Sequence, residues 1–305
     1  MSGFDDTEKS RAYGPSAAKG ARVTTRVISA CLAGLWLACA GGCPSKAAQD
    51  ANTPPPTTNN QQPATTSQQP PAVTHYRYKV VRTYPHDPQA FTQGLVYEDG
   101  VLYEGTGIYG QSSLTKRDLE GGKLLKRERL GRKYFGEGIT IFRDKIIQLT
   151  WQSQRGFVHD KTTFRLLKEF KYAGEGWGLT HDGKQLIMSD GTATLRFLDP
   201  NTFAETRRVT VREDGRNVAL LNELEFIHGQ IFANILYNDS IAIIAPDTGH
   251  VTAWLDLTYL WPLSDRPSPE FVLNGIAYLP KPGHLLITGK CWPRLYEIEL
   301  TKETP

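Results

Sequence analysis

A short pattern returns five times along this chain. It consists of a polar or aromatic residue, a usually small residue, an aliphatic residue, one variable position and usually an aromatic residue. The copies are Gln93–Tyr97, Glu137–Ile141, Trp177–His181, Asn222–Phe226 and Asn274–Tyr278. Their first positions are separated by 44, 40, 45 and 52 residues. This is the length of a four-stranded unit in a radially repeated β-fold.

The segments after each copy continue the pattern of a β-meander. Each copy is followed by a turn and a second apolar run, and third strands are expected at Thr194–Leu198 and Ile241–Ala245. The turns at Asp199–Asn201 and Asp247–Gly249 contain residues that favour tight β-turns. No helical periodicity longer than two turns interrupts these runs. The sequence therefore predicts an all-β, five-bladed β-propeller; a β-sandwich with accidentally similar strands is the alternative.

The fifth copy ends after its third strand, Arg294–Leu300. A missing fourth strand would leave a bare sheet edge, which folded proteins avoid. The stretch His75–Tyr84 precedes the first copy and alternates as a strand does. We therefore expect this N-terminal strand to close the last blade.

Residues 1–43 have the layout of a secretory signal. The uncharged run Val27–Gly42 follows Arg22 and Arg26 and ends in small residues before Cys43. It is short for a membrane-spanning helix. Two interpretations stay open, a simply cleaved signal and a lipoprotein signal with acylation at Cys43, and we favour the lipoprotein. A buried helix is disfavoured because nothing amphipathic follows to cover it.

Residues 44–75 are dominated by proline, threonine, glutamine and asparagine. Such a segment buries too little apolar surface to offset its ordering entropy, so we expect a flexible linker. It leads to a folded domain over residues 76–305. We therefore expect an exported protein on the periplasmic side or at the cell surface, which contacts the membrane only through its N-terminal lipid.

Cysteine usage and charge exclude several kinds of site. Cys31, Cys39 and Cys43 lie in the signal segment, so the domain keeps only Cys291. A single cysteine forms neither an internal disulfide nor a zinc site built on paired cysteines. The formal net charge of +3 is small and does not indicate nucleic-acid binding.

The repeat brings particular side chains together. In a propeller the first strand of each blade lines the central channel, so equivalent positions become neighbours. The first positions of the copies are thus expected at one channel mouth: Gln93, Glu137, Trp177, Asn222 and Asn274. Glu137 is the single carboxylate of this ring, and burial raises a carboxyl pKa. Two interpretations remain, a purely structural hydrogen-bonded ring and an acid/base site at Glu137.

Aromatic side chains are expected around this ring. Phe91 and Phe135 each lie two positions before a ring member, hence on the same face if the strand is regular. The ends of second strands add Trp151, Asp190, Tyr237 and Lys290. An aromatic pocket with one carboxylate, one lysine and several amides suits a small polar ligand that carries an amine and an amide.

At these residues the sequence resembles the glutaminyl-peptide cyclotransferases of the plant and bacterial type, over residues 76–300. Seven motifs in order carry the resemblance: Phe91–Leu95, Phe135–Gly138, Gln148–Trp151, Glu175–Gly178, Leu221–Glu225, Leu273–Tyr278 and Gly289–Glu297. The resemblance implies a five-bladed propeller with its active site at the channel mouth, without a cofactor or catalytic metal. It makes Glu137 the catalytic acid/base. It assigns to the substrate pocket Phe91, Gln93, Phe135, Trp151, Trp177, Asn222 and Lys290.

One position departs from the family pattern. Family members often carry a tryptophan after Ala-Asn-aliphatic, where this chain has Leu236 followed by Tyr237. The resemblance therefore implies a less aromatic pocket on that side.

The implied reaction is cyclisation of an N-terminal glutamine of a peptide or protein to pyroglutamate, with release of ammonia, by a monomeric enzyme. A second hypothesis is a surface-tethered propeller that binds a ligand and catalyses nothing, because the fold alone does not decide the function. A third, a hydrolase of the lactone type, requires a metal cage of several carboxylates, whereas the ring supplies one.

Overall fold

The computed structural model describes residues 72–302. The predicted signal segment 1–43 and most of the predicted linker 44–75 lie outside the described residues. Within residues 72–302 the chain forms 22 strands and one short 3-10 turn at Leu263–Asp265. None of the described residues belongs to a helix that is long and apolar enough to cross a membrane. The all-β class predicted from the sequence is confirmed.

Three four-stranded antiparallel sheets follow one another after an N-terminal strand, β1 (Thr74–Pro85). The first sheet contains β2 (Thr92–Glu98), β3 (Val101–Thr106), β4 (Ser113–Asp118) and β5 (Leu124–Arg129). The second contains β6 (Gly136–Phe142), β7 (Lys145–Thr150), β8 (Arg155–Asp160) and β9 (Leu166–Lys171). The third contains β10 (Leu179–His181), β11 (Leu186–Met188), β12 (Thr194–Leu198) and β13 (Glu205–Thr210).

A hairpin of two short strands and an eight-stranded sheet complete the fold. The hairpin is β14 (Arg212–Glu213) with β15 (Arg216–Asn217). The remaining strands are β16 (Leu221–Ile227), β17 (Gln230–Ile235), β18 (Ser240–Ile244), β19 (Val251–Asp256), β20 (Leu273–Tyr278), β21 (His284–Gly289) and β22 (Arg294–Lys302). Together with β1 they form one sheet in the order β16-β17-β18-β19-β1-β22-β21-β20.

Strand β1 lies in the middle of this large sheet. It pairs antiparallel with β22, from Tyr76 opposite Lys302 to Pro85 opposite Arg294. This is the pairing that the sequence predicted for the N-terminal strand. The sequence did not predict that β1 would also pair, in parallel, with β19. A single strand thus covers two sheet edges that would otherwise expose unpaired backbone groups.

The first strands of the repeats contact each other in a closed cycle. Strand β2 contacts β6 and β20, β6 contacts β10, and β16 contacts both β10 and β20. The arrangement is therefore propeller-like, with the repeated pattern around a common axis. Side chains pack between neighbouring sheets: Tyr103 and Leu114 of the first sheet pack with Ile139 and Ile146 of the second. Burial of one large apolar side chain contributes about 1.5–3 kcal/mol, so these layers hold the sheets together.

Glycines of the repeat lie where the first strands come closest. A Cβ atom on Gly94 would lie 2.4 Å from the backbone nitrogen of Ile139. On Gly178 it would lie 2.0 Å from the carbonyl oxygen of Asn222. No side chain fits at such distances, so the glycines of the repeat let the first strands approach closely.

Candidate active site

The first strands are irregular where their polar residues occur. The ladder shifts register between Thr92 and Gly94, between Gly136 and Ile139, between Leu221 and Leu224, and between Leu273 and Ile276. Such bulges re-aim a side chain and are common beside active sites. Each of the four shifts contains one member of the predicted ring, namely Gln93, Glu137, Asn222 and Asn274.

A chain of hydrogen bonds holds Glu137. The Nδ2 atom of Asn274 donates to Oε1 of Gln93 at 3.0 Å and to the carbonyl oxygen of Thr92 at 2.9 Å. Because Oε1 of Gln93 accepts, Nε2 of Gln93 donates to Oε1 of Glu137 at 3.1 Å. All three side chains are buried. The structure thus brings together the members of the ring that matter most for the acid/base hypothesis.

Electrostatics favour the protonated form of Glu137. Burial removes the carboxyl from water and raises its pKa well above the usual range. The positive charge of Lys290 opposes this rise, and the negative charge of Glu175 adds to it. The Lys290 side chain is itself buried, with 7% exposure. A carboxyl whose pKa is raised in this way is suited to donate a proton and to take one back during a reaction.

Aromatic rings form one wall beside the carboxyl. The ring of Phe135 lies edge-on to Phe91, with centroids 6.2 Å apart, and to Trp151, at 5.6 Å. Tyr109 packs on the same ring at 5.4 Å, and Nζ of Lys290 lies 4.9 Å from the centroid of Phe91. Phe91 and Phe135 precede β2 and β6, so the regular-strand reasoning does not apply to them. They meet nevertheless, because both segments lie at the same end of adjacent first strands.

Glu175 links two aromatic residues of the predicted pocket, and sequence reasoning missed it. Its Oε2 atom accepts from Nε1 of Trp151 at 2.7 Å and from Nε1 of Trp177 at 2.9 Å. Its other oxygen accepts from Nε2 of Gln152 at 3.1 Å. Hydrogen bonds to a charged acceptor are the stronger kind. The sequence did contain a hint, because Glu175 is the first residue of the Glu-Gly-Trp-Gly motif. The motif alone, however, does not show that the carboxylate accepts hydrogen bonds from the indole N–H groups.

Three further residues named from the sequence differ in their surroundings. Asn222 is buried. Its backbone carbonyl oxygen accepts a hydrogen bond from Oγ of Ser189, at 2.7 Å, directly after strand β11. Asp190 accepts from the backbone and the hydroxyl of Thr192 and so stabilises a local turn. Tyr237 is 59% exposed. Of these three residues only Asn222 is buried, whereas Asp190 and Tyr237 lie outside the buried part of the site.

Two more carboxyl groups lie on strand β16, close to the axis. The oxygens of Glu223 accept from the backbone N–H groups of Leu95, at 3.2 Å, and Ile276, at 2.9 Å. Burial raises the pKa of Glu223 well above its usual range, and it raises that of Glu225, which accepts from Tyr278, to about 8. Carboxyl groups other than Glu137, the one expected from the ring of first positions, therefore lie close to the axis. Both oxygens of Glu223 are used by backbone donors, so this side chain ties three first strands together.

Comparisons with known proteins show the family of the chain. The family model for glutamine cyclotransferases matches residues 56–300. A glutaminyl-peptide cyclotransferase of Arabidopsis thaliana is 43% identical over 226 residues, which cover 73% of this chain and 71% of the relative. The crystal structure of Myxococcus xanthus glutaminyl cyclase superposes with a TM-score of 0.71 at 37% identity, covering 76% of this chain and 100% of that one. The chain belongs to the glutamine cyclotransferase family.

Proposed function

We propose that this chain converts the N-terminal glutamine of peptides and proteins to pyroglutamate, releasing ammonia, at the site around Glu137. Membership of the family supports this activity. The observation that carries the site assignment is the buried hydrogen bond between Gln93 and Glu137 beside Lys290 and an aromatic wall. The site offers an acid/base group, donors and an apolar surface to a ligand with an amine and an amide.

We also propose that the architecture is a five-bladed β-propeller. The five first strands contact each other in a cycle, and each begins a meander of antiparallel strands. In this description the last blade consists of β20, β21, β22 and β1. The eight-stranded sheet is then two adjacent blades joined through β1. The active site lies at the end of the axis where the first strands begin.

The reaction requires the substrate to fold back on itself. The α-amine nitrogen attacks the side-chain carbonyl carbon of the same residue, and the bond from this carbon to the amide nitrogen breaks. Because both partners belong to one molecule, the protein contributes mainly by holding the reactive conformation. The rings of Phe91, Phe135, Trp151 and Trp177 would enclose the aliphatic part of the glutamine.

Glu137 moves the proton that the reaction must transfer. Its raised pKa favours the protonated carboxyl in the resting site. The carboxyl donates a proton to the departing amide nitrogen, which leaves as ammonia, and the carboxylate takes a proton from the attacking nitrogen. The two transfers restore the protonated carboxyl and leave a neutral lactam. Gln93, itself oriented by Asn274, keeps Oε1 of Glu137 in place.

The carbonyl oxygen becomes negative in the tetrahedral intermediate. Lys290, Asn222 and Gln93 carry the candidate donors for this oxyanion. One well-placed donor contributes roughly 2.7–4 kcal/mol in comparable acyl-transfer sites. Lys290 combines a donor with a positive charge, so we assign to it the largest share.

The activity is tested by incubating the purified domain with a glutamine-initiated peptide and following the loss of ammonia by mass spectrometry. An otherwise identical alanine-initiated peptide should stay unchanged. The assignment of Glu137 is tested with Glu137→Gln, which keeps the shape and removes the titrating proton. We expect a folded protein with turnover reduced at least about 100-fold. A variant that is folded and fully active would rule out the proton transfer.

For the N-terminal part we propose export, acylation of Cys43 and a linker that holds the domain near the membrane as a monomer. The residue order Arg22, Arg26, Val27–Gly42 and Cys43 supports this proposal.

A further inference from the structure

Exposed apolar side chains are unevenly distributed on the described part of the chain. One group lies on strands, at Val80, Val81, Leu124, Leu125, Leu166 and Leu167. The other group lies in loops, at Tyr109, Leu220, Tyr237, Tyr259 and Leu263. These loops precede first strands, follow second strands or, as with Tyr259 and Leu263, connect β19 to β20. In an antiparallel meander those positions share the end at which Gln93 and Glu137 lie.

Two members of the loop group, Leu220 and Tyr237, lie next to the half-buried Leu236. Leu220 is 43% exposed and Tyr237 is 59% exposed. The backbone N–H of Leu236 donates to the carbonyl oxygen of Leu220 at 2.9 Å, at the end of the β16–β17 ladder. We call Leu220, Leu236 and Tyr237 the rim patch.

The rim patch continues the proposed pocket. Leu220 lies two residues before Asn222 in the chain. Its backbone N–H donates to the carbonyl oxygen of Gly191 at 2.9 Å. Gly191 lies directly against the indole of Trp177, because a Cβ atom there would be 2.6 Å from the ring. The patch therefore borders two residues of the proposed substrate pocket.

The backbone at the patch is held in a conformation that apolar residues rarely adopt. Leu220 has φ 62° and Tyr237 has φ 63°. A non-glycine residue in the left-handed region costs on the order of 1–3 kcal/mol, and such residues concentrate at functional sites. Because both side chains are exposed, their burial does not offset this strain. Exposed apolar side chains that lie close together are characteristic of binding surfaces.

We propose that the rim patch binds the first two residues that follow the glutamine of the substrate, and that it favours apolar side chains there. The inference rests on the proposed function, since the glutamine must occupy the pocket. An extended peptide spans about 3.3–3.6 Å per residue, and Leu220 lies only two positions before Asn222 in the chain. The chain that leaves the pocket on this side therefore reaches the patch within one or two residues.

The test compares three substrates: glutamine amide, a glutamine-initiated tripeptide with two leucines, and one with two serines. The variants are Leu220→Asn and Tyr237→Asn, because asparagine tolerates the left-handed region. The matched control is Leu166→Asn, which removes an equally exposed leucine, at 46%, from the outer strand β9. Thermal unfolding confirms that all variants are folded.

We expect the wild-type kcat/KM to be higher for the leucine peptide than for the serine peptide. Each rim variant should lower kcat/KM for the leucine peptide by about tenfold, as loss of an apolar contact does, and leave glutamine amide unchanged. Leu166→Asn should change nothing. Equal wild-type rates for the two peptides, or equal losses on all three substrates, would overturn the inference. If wild-type protein cyclises none of them, the proposed function fails first and the inference with it.

Discussion

Replacement of Glu175 separates two effects of its carboxylate on the site. One oxygen accepts from the indole N–H groups of Trp151 and Trp177, and the negative charge raises the pKa of Glu137. Glu175→Gln keeps an oxygen acceptor but removes the charge. Glu175→Ala removes both. We therefore expect the two variants to change the kinetics in different ways.

The magnitude for Glu175→Ala follows from the two hydrogen bonds. Each hydrogen bond to a charged group contributes about 1.5–3 kcal/mol net. Glu175 and both indoles are partly exposed, so water replaces much of what is lost, and we take about 1.5 kcal/mol for the pair together. Since about 1.4 kcal/mol corresponds to a factor of ten, KM for a glutamine-initiated peptide should rise about tenfold. The value of kcat should fall less, because the indoles form the walls of the pocket.

Glu175→Gln should shift the pH profile. Without the negative charge of Glu175, and with the positive charge of Lys290 still present, the pKa of Glu137 falls. The limb of the pH profile of kcat/KM that reports the ionisation of Glu137 therefore moves to lower pH. This direction holds whether the active form of Glu137 is the acid or the base. The expected result is a displacement of this limb in that direction, because one of the two causes that raise the pKa of Glu137 has been removed. It is measured from kcat/KM over a series of buffers at constant ionic strength.

A control variant distinguishes this from a general change of surface charge. Glu169→Gln removes an exposed carboxylate of β9 that pairs with Arg155, and it should alter neither KM nor the pH profile. If Glu175→Ala kept the wild-type KM and Glu175→Gln kept the wild-type limb, Glu175 would neither orient the indoles nor act on Glu137. The aromatic wall would then have to be held by its ring contacts alone.

Three further predictions concern stability and processing. Gly178→Ala should lower the free energy of unfolding in urea by about 3 kcal/mol, because its Cβ would lie 2.0 Å from the Asn222 carbonyl oxygen; the exposed Gly131→Ala should stay within about 0.5 kcal/mol. Glu225 has a pKa of about 8 when folded against a usual value of 4.5. The unfolded chain therefore loses this proton first, and wild-type stability falls as the pH rises through this interval. Thermal unfolding measured at the two ends of this pH interval should show a smaller loss of stability for Glu225→Gln than for wild-type protein. An identical loss would refute the assignment. In cells, Cys43→Ser should abolish incorporation of labelled fatty acid, whereas wild-type protein without label would favour the simply cleaved signal.

The repeat made it possible to predict the first strands and the proximity of Gln93 to Glu137. Glycine spacing located β2, β6 and β20, and equivalence of repeat positions placed Gln93 near Glu137 without any knowledge of side-chain geometry. Strand β12 has the predicted bounds. These features depend on local patterns that recur, and recurrence is visible in a sequence.

Other parts of the site depend on contacts between segments that no pattern joins. Glu175 lies in the loop before β10, and its importance comes from an indole of another sheet. The parallel pairing of β1 with β19 has no counterpart in the repeat. Glu223 replaces the glycine of the other copies, and its length lets it reach backbone donors of β2 and β20. Side-chain reach across the axis is a three-dimensional property, so the sequence did not reveal it.

The position of β1 dictates the order in which the domain can assemble. Of the strands described here this one is synthesised first, yet nine of its residues pair with β22, which is synthesised last among them. Contacts between chain ends carry a large loop-closure cost and form slowly. The ring of sheets can therefore be sealed only after synthesis of the whole domain, and until then β19 and β22 both present open edges. A chain shortened before Arg294 would keep its first strand without its antiparallel partner and should aggregate instead of closing.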